Sequence, residues 1–192
     1  LLFGHDEEVV ASEYAGAKSI METLRDRGIR LDSVLDEGGA ILPVKVKGII
    51  DKKLAGIGIA EKGYADIQVS VNHKGGHSSQ PPKHTGLGIL ADVIKDLEKN
   101  QFDSKMEPFL SDLFDRVGRN VSYPARLLTC NLKYFKPLLL EIMKDIPPAA
   151  CMTRTTTAVT MAQGSPAANV LPQVSSVIVN FRHMPGTTID DV

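Results

Sequence analysis

The spacing of apolar residues along the chain predicts both strands and helices. Extended segments are expected at 64–71, 154–161 and 174–183, where apolar side chains alternate with polar ones or where Thr and Val are concentrated. The last segment alternates most clearly: one side carries Val177, Val179 and Phe181, and the other carries Ile178, Asn180 and Arg182. Such a strand buries one face and leaves the other for water or for function.

Helical spacing predicts the remaining elements. Apolar residues recur every three or four positions at 12–27, at 87–97, around 109–114 and through 128–142. Gly28 follows the first of these at the position of a left-handed C-terminal cap. The last two stretches end at Pro147-Pro148 and predict a helical hairpin inserted between strands.

The order of these elements divides the chain into two domains. A helix, the short apolar segment 33–35 and an acidic turn follow one another in a way typical of a layered α/β domain, so residues 1–62 are expected to be a slice of one. Residues 63–192 are expected to form an α+β domain. This domain is expected to contain an antiparallel sheet with helices on one face, and the predicted helical hairpin is its insertion at about 100–150.

Charge and hydropathy exclude two classes of partner. The chain has 22 Lys and Arg against 23 Asp and Glu, so it offers no basic field for phosphates or an anionic membrane surface. Its longest apolar runs are far shorter than a bilayer span. We therefore expect no nucleic acid partner and no membrane contact within this segment, while localisation stays open.

Four short motifs carry the chemistry. They are Gly-His-Asp-Glu-Glu (4–8), Asp-Glu-Gly-Gly (36–39), Gly-His-Ser-Ser-Gln-Pro-Pro (76–82), and Asn-Val-Leu-Pro (169–172) followed by Asn-Phe-Arg (180–182). In their order, spacing and residue identities, these motifs resemble those of the co-catalytic zinc peptidase family. That family includes aminoacylase, carboxypeptidase S, Gly-Xaa carboxypeptidases and the N-acyl-amino-acid hydrolases. The resemblance implies that residues 1–62 belong to the catalytic domain, and residues 63–192 to a lid or dimerisation domain inserted into it.

Two adjacent glutamates in the first motif can divide the chemical work. Successive side chains at the end of a strand diverge, so one carboxylate can hold a metal while its neighbour faces the substrate. The resemblance implies that Glu7 is the general base and acid, which takes a proton from the attacking water and passes it to the leaving amine. It also implies that Glu8 is a zinc ligand, that Asp36 is another, with Glu37 as the alternative, and that the complete protein binds two zinc ions.

Three residues of the second domain complete the implied site. His77 lies in a glycine-bounded loop from which its imidazole can project, and the resemblance implies that it donates a hydrogen bond to the developing oxyanion. Arg182 offers a planar fork to a carboxylate, and the resemblance assigns the substrate's free α-carboxylate to Arg182 and Asn169. Because His77 and Glu7 lie on different domains, their site must form by lid closure within a chain or by dimer formation.

The family architecture requires more ligands than this chain carries. Its upstream His-x-Asp, bridging aspartate and late histidine are absent, so we expect an internal fragment that is inactive alone. The apolar start, expected to end a strand, and the helix-like turn at 187–192 are in line with this expectation. The parent protein is expected to be a homodimer through the lid domain that hydrolyses a dipeptide or an N-acyl amino acid. The alternative is a dimerisation module or a catalytically inactive relative.

Overall fold

The computed structural model of the chain describes residues 3–6, 16–35 and 38–192. The chain separates into two compact units, residues 1–38 and residues 39–192. Helices accompany antiparallel sheets in the described residues, which confirms the predicted mixture of helix and sheet. The predicted domain boundary after residue 62 stays a prediction.

The first unit contains helix α1, from Gly16 to Asp26. Its predicted first turn lies outside the described residues, and its C-terminal cap is as expected, because Gly28 has a φ of 66°. The strand expected at 33–35 is not formed, and neither is a strand at the described residues 3–4. A short apolar run becomes a strand only when a neighbouring strand pairs with it, and the sequence pattern alone does not show such a partner.

The second unit begins with a hairpin and continues into a mixed helix and sheet structure. In chain order its elements are β1 (Ile41–Val46), β2 (Ile50–Ala55), β3 (Gly63–Asn72), β4 (Gly76–His77), α2 (Gly86–Lys99), α3 (Pro108–Gly118), α4 (Tyr123–Thr129), α5 (Leu132–Lys144), α6 (Pro147–Ala150), β5 (Thr156–Gln163), β6 (Val170–Leu171), β7 (Val174–His183) and a 3-10 turn (Ile189–Asp191).

The hairpin of β1 and β2 was not predicted from the sequence. Its strands pair antiparallel around Gly48, which has a φ of 73°. The hairpin contacts the corner between α3 and α4, where the Ser122 N–H donates to the Ile49 carbonyl at 2.8 Å. The apolar residues next to these two, Ile50 and Val121, are both buried. The hairpin and the helical segment are thus joined by this backbone hydrogen bond and by the side-chain hydrogen bond that Lys52 Nζ donates to Asn120 Oδ1 at 3.1 Å.

The main sheet has the antiparallel order β3-β7-β5. Its centre is the alternating strand predicted from the sequence, and β3 runs beside it in register from Gly63 opposite His183 to Asn72 opposite Val174. Helix α2 covers one side, where Leu90 packs with Val177 and the other inward residues of β7. The predicted sheet with helices on one face is therefore confirmed. We call the side away from α2 the open face.

The helical segment between α2 and β5 has a core of its own. Met106, Leu110, Leu139 and Met143 form a second buried cluster, separate from the sheet's. The predicted helical hairpin is wrong in detail, because the second stretch is two helices, α4 and α5, with a break at residues 130–131. The apolar spacing continues across this break, so the pattern could not show it. Pro147, expected only to end a helix, begins α6.

The two ends of the helical segment meet at one place. The Lys105 N–H donates to the Thr153 carbonyl at 2.7 Å, and the Thr153 hydroxyl donates to Ser104 Oγ at 3.1 Å. Thr153 is fully buried at this junction. Residues 106–152 therefore leave the domain and rejoin it through a narrow neck. Over the described parts of the chain, every helix is too short or too polar to cross a membrane.

Candidate functional site

His77 and Asn169 are far apart in sequence but are brought together by a two-stranded ladder. Strand β4 pairs antiparallel with β6, so that His77 lies opposite the residue after Asn169. The Ser78 N–H also donates to the Asn169 carbonyl at 3.0 Å. The chain turns into this ladder at Gly75, whose φ of 69° is readily adopted only by glycine. Both predicted residues are exposed at this end of the sheet.

Ser79 fixes the tautomer of the His77 ring. The Ser79 backbone N–H donates to His77 Nδ1 at 3.2 Å, and the Ser79 hydroxyl lies 2.8 Å from the same nitrogen. A backbone N–H can only donate, so Nδ1 must accept and the proton of the neutral ring resides on Nε2. The exposed imidazole thus offers a hydrogen-bond donor at Nε2.

An open groove of about 640 Å³ adjoins His77. Its walls are formed by residues 74–77, by residues 170–174 and by the turn at 164–166 that follows β5. A groove of this size has room for part of a small organic substrate beside the Nε2 donor.

Arg182 lies on the open face, opposite Tyr64 of β3 and Thr156 of β5. Its guanidinium carbon is 4.5 Å from the centroid of the Tyr64 ring, which is a cation–π contact. Within the described ranges, no residue accepts a hydrogen bond from this guanidinium or forms an ion pair with it. Its N–H edge is therefore available for a carboxylate.

Asp66 and Asn180 complete a group that we call the Arg182 quartet, with Tyr64 and Arg182 as its other members. The Tyr64 hydroxyl donates to Asp66 Oδ2 at 2.6 Å, and Asn180 Nδ2 donates to Asp66 Oδ1 at 2.8 Å. These bonds, first that of Tyr64 and then that of Asn180, lower the pKa of Asp66. The hydrogen bond to Asp66 is the main cause that raises the pKa of Tyr64. At neutral pH Asp66 is therefore ionised and Tyr64 is neutral.

Lys62 adds a second cation at this end of the sheet. Its Nζ donates to the carbonyls of Cys151 at 3.0 Å and Arg154 at 2.7 Å. Burial is the main cause that lowers the pKa of Lys62; Cys151 opposes the shift, while Arg154 and Arg182 add to it. Lys62 thus fastens the end of the helical segment, at residues 151–154, to the start of β3.

The two candidate regions are separated by nearly the whole length of β7. The eight residue steps from Val174 to Arg182 correspond to about 27 Å of extended chain. The pairing continues beyond Val174, because the His73 N–H donates to the Gln173 carbonyl at 2.7 Å before the chain reaches the ladder of His77. His77 and Arg182 therefore lie at opposite ends of the sheet.

Strand β5 gives an independent check of this separation. Gly164, directly after the last residue of β5, lines the groove beside His77. Thr156, the first residue of β5, lines a shallow depression beside Arg182. The structure thus brings His77 and Asn169 together but does not bring Arg182 to them.

The predicted acidic residues Glu7, Glu8, Asp36 and Glu37 lie outside the described residues. Their roles stay predictions. In the described parts of the chain, no three His, Cys, Asp or Glu side chains are grouped so that they could hold a metal ion. By donor chemistry the predicted carboxylates fit zinc, which binds Asp and Glu oxygens.

Sequence reasoning missed the residues that hold the predicted ones in place. Ser79 stands two positions after His77, and Tyr64 and Asp66 occupy alternate positions of β3 on the open face. The alternation along β3 could have indicated the last two. Their link to Arg182, however, depends on strand register, which a single sequence does not show.

Comparison with known proteins identifies the family. The sequence profile of the peptidase dimerisation domain, M20_dimer, matches residues 59–192. Similar proteins include the N-fatty-acyl-amino acid synthase/hydrolase PM20D1 of Xenopus tropicalis, 37% identical over 193 residues that cover 98% of this chain and 36% of that protein. The probable carboxypeptidase S-like 2 of Dictyostelium discoideum is 38% identical over 191 residues, which cover 99% of this chain and 36% of that protein. Carboxypeptidase S of Saccharomyces cerevisiae is 34% identical over 203 residues, which cover 93% of this chain and 32% of that protein.

The chain spans about a third of the length of these curated relatives. The same comparison with solved structures found no significant match. The profile covers most of the chain, and the matched residues include the ladder of His77, the groove beside it and the Arg182 quartet. The resemblance seen in the four motifs is thus confirmed: the chain belongs to the M20 peptidase family, whose dimerisation domain it contains.

Proposed function

We propose that this chain is part of a zinc-dependent hydrolase that releases a free amino acid from a dipeptide or an N-acyl amino acid. The observation that carries the proposal is one sheet with two different exposed binding groups, the Nε2–H of His77 and the free guanidinium edge of Arg182. The first suits a developing oxyanion and the second suits a carboxylate. The relatives named as an N-fatty-acyl-amino acid synthase/hydrolase and as carboxypeptidases support an amide bond beside an amino acid.

Each residue has one task in this reaction. Glu7 takes a proton from the attacking water and delivers it to the leaving amine, because amide cleavage near neutral pH requires proton transfer in both directions. His77 donates from Nε2 to the carbonyl oxygen as negative charge develops on it. Arg182, with Asn169, binds the α-carboxylate of the amino acid that will be released.

Glu8 and Asp36, or Glu37 in place of Asp36, contribute carboxylate ligands to the metal centre of the complete protein. Zinc, when bound, polarises the scissile carbonyl and lowers the pKa of water to about 7. The tasks of this chain's own side chains around it are proton transfer, hydrogen bonding and orientation of the substrate.

The separation of His77 from Arg182 determines how a complete site is assembled. In an amino acid amide, the carbonyl that His77 would stabilise and the α-carboxylate that Arg182 would bind are only about 4 to 5 Å apart. The two side chains lie at ends of β7 that are about 27 Å apart, which is too far for both to reach one small substrate. We infer that Arg182 of one subunit works with His77 and Asn169 of the partner subunit.

The sheet offers a route to the homodimer that this arrangement needs. Strand β5 is the outer strand beyond β7 in the described sheet, and its outer side therefore has backbone groups available for pairing. A second copy of β5 could pair there antiparallel about a two-fold axis and extend the sheet across the dimer.

The test of this function uses the full-length parent protein. We expect about two zinc ions per subunit by elemental analysis, and turnover of dipeptides or N-acyl amino acids with a free α-carboxylate. A chelator should abolish turnover, and added zinc should restore it. Matched substrates whose α-carboxylate is an amide serve as the control and should react much more slowly. A folded protein that lacks zinc and cleaves none of these substrates would instead be an inactive relative that serves as a dimerisation module.

A further inference from the structure

Arg182 stands beside an acid that does not bind it. Asp66 belongs to the Arg182 quartet, but its carboxylate oxygens accept hydrogen bonds from the Tyr64 hydroxyl and the Asn180 amide, and neither is bonded to Arg182. Asp66 lies opposite Asn180, and Tyr64 lies opposite Arg182, so the arrangement follows directly from the register of β3 with β7. The guanidinium rests on the aromatic ring instead of pairing with the carboxylate.

This arrangement preserves the binding capacity of Arg182. An Arg with a carboxylate neighbour commonly forms a two-pronged ion pair, which would use the same N–H edge that a substrate carboxylate needs. Here the ring supports one flat side of the guanidinium, and no described residue accepts a hydrogen bond from its edge. Asp66 contributes negative charge nearby without competing for the edge.

Asp66 also strengthens the ring contact through Tyr64. A phenol that donates a short hydrogen bond to a carboxylate becomes richer in electrons, and the face of an electron-rich ring attracts a cation more strongly. Stacking also restricts the rotamers of Arg182 before substrate arrives, so less conformational entropy is lost on binding. Asp66 therefore affects Arg182 indirectly, through its hydrogen bond with Tyr64 and the contact of the Tyr64 ring with the guanidinium.

We propose that Tyr64 and Asp66 are positioning residues, which hold the guanidinium of Arg182 flat and unpaired so that it can accept the α-carboxylate of the substrate. The proposal rests on the proposed function, in which Arg182 binds that carboxylate. Tyr64 and Asp66 act through Arg182 and do not touch the reacting atoms. Their effect should therefore appear in substrate binding and in selectivity for a free carboxylate, and not in the chemical step.

The test measures kcat and KM of the full-length protein with a matched substrate pair, an N-acyl amino acid and its α-amide. Tyr64→Leu should raise KM for the carboxylate substrate about five- to ten-fold with kcat within about two-fold, and it should leave the amide unaffected. Tyr64→Phe keeps the ring but loses the bond to Asp66, so we expect a smaller rise of about two- to three-fold. Asp66→Asn should resemble Tyr64→Phe.

A matched control and a second background separate the possible failures. Gln68→Leu changes another open-face residue of β3 that hydrogen-bonds within its own strand, to Ser70, and it should leave both substrates unaffected. In an Arg182→Ala background, Tyr64→Leu should have no further effect, because the residue it positions is absent.

Two outcomes would overturn different statements. If Arg182→Ala slows the carboxylate and amide substrates equally, the carboxylate anchor in the proposed function is wrong. If Arg182→Ala discriminates between them but Tyr64→Leu does not, or if Tyr64→Leu has the same effect in both backgrounds, the anchor stands and the positioning role is wrong. Rescue of Tyr64→Leu by Phe at the same position distinguishes loss of the ring from misfolding.

Discussion

Met161 of β5 and Gln68 of β3 lie on either side of the same residue of the central strand, Ile178 of β7. The three residues form one cross-strand row on the open face, with the two outer ones on the two outer strands of the described sheet. Met161 is 66% exposed. Met161 and Gln68 are therefore equivalent positions on the two outer strands. The same substitution at each position can test which outer strand forms the dimer interface.

Met161→Lys should weaken the homodimer. If two copies of β5 pair about a two-fold axis, the new lysines approach each other, and charge on an edge strand opposes pairing. We expect the dimer dissociation constant to rise at least about ten-fold, which is roughly 1.4 kcal/mol, in sedimentation analysis of the full-length protein. Gln68→Lys places the same charge in the same row at the other edge and is the control. An unchanged dimer in Met161→Lys would exclude pairing through β5.

His77 should be protonated at Nε2 in its neutral form. The Ser79 N–H requires an acceptor at Nδ1, so nitrogen NMR of the labelled ring should identify the Nε2–H tautomer. In the full-length protein, His77→Ala should lower kcat about a hundred-fold or more without loss of zinc, as expected for an oxyanion donor. Ser79→Ala keeps the backbone N–H and should stay within about three-fold of the parent. His84→Ala, an exposed histidine nearby, is the control.

Mixing two inactive variants should restore activity. In a dimer of His77→Ala with Arg182→Ala, one site receives an intact Arg182 from the first subunit and an intact His77 from the second. Random exchange makes half of the dimers mixed with one good site of two, so activity should return to roughly one quarter of the parent level. No recovery, despite subunit exchange shown by mass or fluorescence labels, would place both residues in the site of a single chain.

Glu7→Gln should separate proton transfer from metal binding. The amide is nearly the same shape as the carboxylate but cannot accept the proton of the attacking water, so turnover should fall about a hundred-fold or more. Zinc content, measured on the same full-length sample, should stay near the parent level because Glu8 is the proposed ligand. Glu98→Gln, on the exposed side of α2, is the matched control. Near-parent turnover in Glu7→Gln would assign the proton transfer elsewhere.

Tyr64→Phe should raise the pKa of Asp66 towards its ordinary value. The Tyr64 hydroxyl is the main cause of the lowered pKa of Asp66, and only the smaller contributions of the Asn180 amide and the Arg182 charge would still lower it in the variant. A lowered folded-state pKa stabilises the protein above the unfolded-state value, and this contribution is lost as pH falls through the folded-state value. The stability deficit of Tyr64→Phe relative to the parent should therefore be present at about pH 6 and shrink towards about pH 2.

Carboxyl carbon NMR titration and denaturant unfolding at both pH values would check this expectation. The pKa of Asp191 is lowered by different contacts, first the backbone N–H and then the hydroxyl of Thr188. It should stay lowered in the same variant and serves as the internal control. A pKa of Asp66 that does not move would mean that the Tyr64 hydroxyl is not its partner in solution.

The sequence predicted β7 to its observed bounds, Val174–His183, because Val177, Val179 and Phe181 alternate with the residues of the open face along this central strand. It did not predict the hairpin of β1 and β2, although Gly48 stands between two short apolar runs as a turn signal. It joined α4 to α5, because a break between helices leaves no trace when the apolar spacing continues in phase. Local pattern thus reveals a strand with one buried face more readily than it reveals a turn.

The sequence indicated candidate site residues but not their arrangement in space. The motifs indicated His77, Asn169 and Arg182, and β4 and β6 place the first two together. That Arg182 lies at the far end of β7 follows from the strand lengths and the register with β3. The same register creates the contact of Tyr64 with Arg182. Both are properties of pairing between distant segments, which no local pattern in a single sequence determines.

The neck at Lys105 and Thr153 has a consequence for changes in chain length. Because residues 106–152 begin and end one hydrogen bond apart, lengthening or trimming them does not move the end of α2 relative to the start of β5. The helical segment is an insertion whose two ends lie together, so an exchange of the whole segment should leave β3, β7 and β5 of the main sheet in place. It would remove the contact that the β1–β2 hairpin makes with the corner between α3 and α4. The spacing between His77 and Arg182 is therefore insulated from the part of the domain in which length can most readily vary.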